Sequence, residues 1–206
     1  MQKISRPAII AATIGPVQSV LGWVIAGALW EGYDPIRKTI SDLAADDSPV
    51  QGIQTSFFVL GGILSLVAAV YSRTLAMPGR VVIFLGGLAT FGFAYFTTPS
   101  QDGYSDLHRI FAIASFVLFS AWPLFSMRTK AEYPWVLRPA GAILATIGFT
   151  IISLWFLSTW TDPEATNVGL VERVIATAQT GYLSAVIWIC WLHGKRAEVS
   201  RGGSKN

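Results

Sequence analysis

Long apolar runs alternate with short polar segments along the whole chain, and the spacing of the pattern is that of a bilayer. A helix must carry about 20 apolar residues to cross hydrocarbon, because each residue rises about 1.5 Å and lipid offers the backbone no hydrogen-bond partner. Six runs meet or approach that length: 8–30, 51–71, 81–97, 107–125, 139–160 and 170–192. The expected fold is all-α, a polytopic bundle of six transmembrane helices. The intervening loops are short, so residues 1–194 read as a single transmembrane domain, followed by a disordered basic tail over 195–206. Small residues at helical spacing (Gly22 with Ala26, Gly61 with Ser65, Gly86 with Thr90, Gly141 with Ala145) are read as packing positions where backbones approach. Pro16 and Pro123 fall inside helices one and four, where each removes an amide donor.

The longest polar interruption, Gly32 to Pro49, carries its own start signals. In "SPVQ", Ser48 is placed to cap helix two, with Pro49 at its first position and Gln51 as the capping-box partner. In "TISD", Thr39 and Asp42 have the same relation and predict a short helix lying on the surface before helix two. The loop is therefore expected to be ordered. A short echo, "ISDLA" at 40–44 and "YSDLH" at 104–108, is too brief to establish a duplication.

Composition agrees with the pattern: the 206 residues are 52% hydrophobic and 13% charged. The mean hydropathy is +0.52. A soluble domain of this length would need more charge, spread along its surface. Here the charge is sorted. The N-terminus, the second and fourth loops and the C-terminal tail hold eleven of the fifteen basic residues but only two acidic ones, Glu132 and Glu198. Short cytoplasmic loops retain Lys and Arg, so both termini are expected to be cytoplasmic and the protein a multi-pass resident of the cell membrane. The basic excess is dispersed over that inner rim, which suits topogenesis and anionic lipid and excludes a nucleic-acid stripe. Lys3 and Arg6 before an apolar run, with "AGA" at 26–28, resemble a signal peptide, but the run exceeds a signal's apolar core and reads as a retained first helix. Trp30 and Trp160 mark the outer interface, Trp135 and Trp191 the inner one. The lone Cys190 excludes an intrachain disulfide.

Candidate chemistry collects on the outer side. The first loop offers Arg37, Ser41 and Asp42; the start of helix four Asp106, His108 and Arg109; the start of helix six Glu172 and Arg173. Glu172 and Arg173 lie inside an apolar run, where uncompensated charge costs up to ~3 kcal/mol. Neighbours on a helix point about 100° apart, so each needs a partner on another segment. Three arginines match three carboxylates, and an ion-pair network clamping the outer end is the plainest expectation. His108 is left over and is the candidate for proton transfer, with Asp42 or Asp106 orienting it. His193 lies about one bilayer away, which argues against a two-histidine haem or metal centre. The spacing of His108, Asp106, Asp42 and Glu172 matches no recurrent metal-ligand motif, and no phosphate-cradling glycine loop or nucleophile elbow is present, so neither cofactor nor metal is expected.

Three segments, "GYDPIRKTISDLA" after helix one, "DLHRIFA" opening helix four and "GLVERV" opening helix six, resemble the bacterial and archaeal membrane family catalogued as domain of unknown function 998. The resemblance extends over essentially the whole chain. Where that family often has a histidine–glycine pair, this chain has His108 followed by Arg109. It implies a six-helix membrane fold and no particular reaction.

Function is accordingly expected to lie with a non-catalytic membrane component: a scaffold, assembly factor or lipid-binding subunit whose polar cap meets a lipid headgroup or a membrane-protein partner. The alternative is an interfacial enzyme acting on a lipid or lipid-linked substrate through His108. A small transporter ranks third, because the mid-membrane segments offer Gln18, Gln54 and Thr90 but no central ionisable residue.

Overall fold

A computed structural model describes residues 4–101 and 103–202, the side chains of 199–202 excepted. Its helices are α1 (Arg6–Ala28), α2 (Gln51–Tyr71), α3 (Met77–Tyr95), α4 (Asp106–Phe125), α5 (Pro139–Thr161) and α6 (Val168–Gly202). All six have the length and apolarity to cross a membrane. Each packs on its neighbour in sequence, and α6 returns to α1, so the bundle closes into a ring. An even number of passes brings both termini to one end, here called the terminal end. The 29–50, 96–105 and 162–167 connections meet at the other, the cap end.

The surface between the ends is apolar. Ile10, Val17 and Leu21 of α1 and Leu144, Ile151 and Leu154 of α5 are exposed, the arrangement that lipid as solvent favours. Small side chains face inward instead. Gly22 and Gly86 lie against the rings of Phe57 and Phe119, with no room for a Cβ in ordinary contact. Apolar burial is concentrated at the terminal end, where Ala8, Ala11, Leu75, Ile83, Trp122 and Ile187 form the main core. A smaller cluster of Ala26, Leu43 and Val50 seats the cap.

The boundaries differ most from the sequence reading in three places. Helix α3 starts four residues earlier than expected, because Pro78 in its first turn needs no amide partner. Arg80 then donates to the Ala69 and Val70 carbonyls at the end of α2, at 2.6 and 2.7 Å. Helix α2 starts at Gln51 after Val50, and Gln51 reaches Asp46 at 2.8 Å instead of returning to Ser48. Ser48 accepts from the Val50 amide at 3.2 Å and donates to the Leu43 carbonyl at 2.8 Å, so it ties the loop to the helix without forming the expected box. Helix α6 continues to Gly202 through the segment expected to be disordered from 195. Lys195, Arg196, Ala197 and Glu198 are all strong helix formers, and nothing in the run stops the helix. Residues 203–206 lie outside the described residues.

Candidate functional site

The cap is built from short-range polar contacts that the sequence encodes locally. Gly32, at φ +77, turns the chain out of α1, a conformation that glycine adopts without cost. Asp34 accepts the Ile36 amide at 2.9 Å and closes an Asx turn. Asp42 accepts the Thr39 amide at 2.7 Å, and Thr39 accepts the Asp42 amide at 3.1 Å. This reciprocal box opens the short 3-10 helix Asp42–Ala44, in line with the "TISD" reading. Burial holds the Asp42 carboxyl above the usual aspartate range, against the opposing pull of Thr39, Lys38 and Arg173. The folded state thus binds this proton more tightly than the unfolded chain. Its contribution to stability is full below the ordinary aspartate pKa and is lost as pH rises through the folded value. Asp42→Asn keeps an oxygen for the Thr39 amide. It is expected to flatten the fall of the thermal midpoint upward from about pH 4, read by melting in detergent across pH.

The start of α6 docks beneath this cap. Leu170 donates its amide to the Ile36 carbonyl at 3.0 Å, and Gly169 lies directly under the backbone of Lys38 and Pro35. Arg173, 6% exposed, donates to the carbonyls of Lys38 at 2.9 Å and Gly169 at 2.8 Å and to the Tyr33 hydroxyl. Its guanidinium also lies over the rings of Trp23 and Tyr33. Glu172, 5% exposed, accepts the Ile40 amide and faces the Ser41 hydroxyl. Each of the two charged residues therefore finds partners on the first loop, and Arg173 also bonds the Gly169 carbonyl of its own helix. Those partners are backbone and hydroxyl groups, and the expected three-by-three ion-pair network is not formed. Among the described residues, the ion pair in this region is Arg37 with Asp34, at 3.7 Å and well exposed.

His108, on the first turn of α4, is 5% exposed. Its Nδ1 lies 2.9 Å from the Phe96 carbonyl oxygen and 3.1 Å from that of Phe93. Its Nε2 lies 3.1 Å from Ser41 Oγ. The Ser105 hydroxyl caps α4 by accepting the His108 amide at 3.3 Å. Arg109 points the other way, over the rings of Trp160 and Tyr104 at 4.8 and 5.7 Å.

These side chains surround a pocket of about 480 Å³ lined by Arg37, Lys38, Ser41, Asp42, His108, Arg109 and Glu172. Asp106 is exposed and outside that lining, at the positive end of α4. Ile113, Phe116, Phe156 and Trp160 are shared with a second, almost wholly apolar groove of about 340 Å³ between α4 and α5. On its inner side the Ser41 and Glu172 wall also bounds a cavity of about 130 Å³ inside the ring, with Gln18, Gln54, Thr90, Ser115 and Gln179 in its lining. Gln18 Oε1, Gln54 Oε1 and Trp23 Nε1 have no protein partner there, and a space of that size and polarity takes water, at roughly 10–15 Å³ each. Among the described residues no cluster has three or more metal-ligating His, Cys, Asp or Glu. Sequence reasoning missed Tyr33, Lys38 and Trp160. The signal for Tyr33 was its place in "GYDP" beside an unpaired Arg173; the Lys38 and Trp160 contacts carried none.

The six-helix ring with its apolar girdle defines a multi-pass integral membrane protein of the cell membrane. The chain belongs to the family described as Protein of unknown function (DUF998), whose model matches residues 13–189 and so takes in the cap and the starts of α4 and α6. No curated protein and no solved structure matches the chain.

Proposed function

We propose that this protein is a lipid-binding component of the membrane, holding an anionic headgroup in the outer pocket and an acyl chain in the α4–α5 groove. The Lys and Arg gathered at the terminal end support cytoplasmic termini, and with that orientation the pocket faces the outer leaflet. The observation that carries the reading is Arg109. Its guanidinium is held on Tyr104 and Trp160 and has no hydrogen-bond partner among the described residues. It stands where the polar pocket meets the apolar groove, since Trp160 lines both. An arginine fork so placed matches a phosphate geometrically, and the aromatic rings limit the entropy lost on binding. Arg37 and Lys38 line the same pocket. The two carboxyls there, Asp42 and Glu172, are directed at the Thr39 and Ile40 amides.

Melting the purified protein in detergent with added phosphatidylglycerol or phosphatidylcholine tests this. At about 100-fold excess over the dissociation constant an occupied site stabilises by about 2.7 kcal/mol, a rise of about 5–10 °C for a chain of this size. The anionic lipid is expected to produce it and the zwitterionic lipid much less. Arg109→Gln removes one charge-assisted contact and is expected to weaken the anionic lipid about tenfold. Equal shifts with both lipids, or an unchanged affinity in the variant, would rule out the headgroup site.

A further inference from the structure

We infer that Ser41 and His108 are a nucleophile and general base, and that the pocket cleaves the carboxylic ester of an acylated lipid; this rests on the lipid-binding reading above.

The tautomer of His108 follows from its neighbours. A carbonyl oxygen only accepts, and Nδ1 faces two of them, at 2.9 and 3.1 Å. Nδ1 therefore carries the proton of the neutral ring, and the lone pair is on Nε2. Ser41 Oγ is 3.1 Å from that lone pair. A hydroxyl, a base within hydrogen-bond reach and a third group orienting the base is the arrangement that activates a serine, with backbone carbonyls here in the orienting role.

The serine is held as firmly as the base. Its carbonyl accepts the Ala44 amide at 2.9 Å, and the Thr39–Asp42 box encloses it. On its N-terminal side Ile40 donates its amide to Glu172. Glu172 is thus a positioning residue that fixes the turn bearing Ser41, and its carboxyl faces the Ser41 hydroxyl as well. Both Ser41 and His108 line the outer pocket, so a bound molecule reaches them.

Their height in the bundle selects the substrate class. His108 and Arg109 are on the first turn of α4, and Ile113 and Phe116, shared with the apolar groove, lie roughly 8–12 Å further along the helix. A lipid with its phosphate on Arg109 and its chain in the groove passes its ester linkage through the outer pocket, whose lining includes Ser41.

The reaction balances without a cofactor. Ser41 Oγ attacks the ester carbonyl carbon while its proton moves to Nε2 of His108. The carbon–oxygen bond to the lipid alcohol breaks, and that alkoxide takes the proton from Nε2, leaving an acyl-serine. Water then attacks the acyl carbon, its proton passes through the same nitrogen to Ser41 Oγ, and the fatty acid departs. With Arg109 on the phosphate, Arg37 and Lys38 place positive charge around the pocket in which the oxyanion forms.

The test uses a long-chain alkyl fluorophosphonate on the purified full-length protein, with peptide mass mapping of the adduct. Phosphorus–oxygen bond formation at Ser41 with loss of fluoride is expected in the wild type. His108→Ala is expected to slow it about 100-fold or more. Ser56→Ala, altering a hydroxyl bonded to Gly52 on α2, is expected to leave the rate unchanged. Mapping on the wild type does not depend on whether any variant folds. No adduct on Ser41, or an adduct forming at the wild-type rate in His108→Ala, overturns the dyad. The phosphatidylglycerol melting shift is recorded on the same samples. A shift without an adduct removes the dyad alone, whereas loss of both removes the lipid-binding reading as well.

Discussion

Adding one methyl group at Gly169 will lower the thermal midpoint in detergent by about 6–12 °C. A Cβ there would stand 2.6 Å from the Lys38 carbonyl carbon and 2.8 Å from the Pro35 oxygen, and would overlap the Lys38 oxygen itself. All three are backbone atoms of the cap, so no flexible side chain can yield. Overpacking of this kind costs about 1–3 kcal/mol, and the rigid cap puts Gly169→Ala at the top of that range. At about 2–4 °C per kcal/mol the shift is readily measured. The consequences reach the pocket, because lifting the cap from α6 separates Arg173 from the Lys38 carbonyl and Glu172 from the Ile40 amide. Gly148→Ala is the matched control, since nothing lies within 4 Å of a Cβ on that residue. A Gly169→Ala midpoint within about 2 °C of wild type would mean that the close approach is not a constraint.

Arg173→Ala is expected to cost more, about 3–5 kcal/mol. The side chain joins α6 to the cap through the Lys38 carbonyl and the Tyr33 phenol and bonds the Gly169 carbonyl of its own helix, and charge-assisted bonds are worth about 1.5–3 kcal/mol each before their mutual dependence is counted. Alanine leaves the Lys38 carbonyl and the Tyr33 hydroxyl facing a space that neither lipid nor side chain fills. Burial raises the Tyr33 hydroxyl above the usual tyrosine range, with Arg173 opposing it. Tyr33 therefore stays protonated, donating to the Thr39 carbonyl at 2.7 Å while accepting from Arg173. Arg173→Lys should recover only part of the loss, because one ammonium cannot span the carbonyls and the phenol as the planar fork does. A thermodynamic cycle with Tyr33→Phe separates this account from a general loss of solubility. The two substitutions should be coupled by about 0.5–3 kcal/mol, and strict additivity would show that the pair does not act together.

Much of this architecture is legible in the chain before any coordinates, and the reasons are local. Bilayer thickness imposes a length on each helix, so apolar runs reveal six of them, with their ends within a few residues except at the C-terminus of α6. The Thr39–Asp42 box spans four residues, and reading it requires only the preference of a hydroxyl and a carboxylate for nearby amides. Other local readings failed where a competing partner was at hand. Gln51 bonds Asp46, a residue of the same loop that a capping template does not weigh. Along 195–202 the helix continues, and Lys195, Arg196, Ala197 and Glu198 are good helix formers.

The candidate site was half visible for a different reason. Charge inside an apolar run signals that Glu172 and Arg173 need distant partners, and His108 stands out as the one unmatched titratable group of its region. Counting charges then suggested that arginines would pair with carboxylates. In the folded chain Arg173 takes carbonyls and Tyr33, Arg109 takes aromatic faces, Glu172 takes a backbone amide, and Asp106 stays at the surface. Backbone groups at loop and helix ends are abundant and unsatisfied, so they compete with side-chain charges for every buried donor and acceptor.

By itself the sequence determined the solvent of this protein, the number of its crossings, the end that carries the cap, and which residues could not remain unpartnered. Those properties depend on hydropathy and on short-range chemistry, both of which act within a few residues. Tertiary structure alone decided that Ser41 meets His108 across 67 positions and that Ile40 meets Glu172 across 132. It also decided that a polar pocket opens onto an apolar groove. Such contacts depend on how six helices close into a ring, and the energies that select one closure are spread over many small packing terms that no single stretch of chain contains.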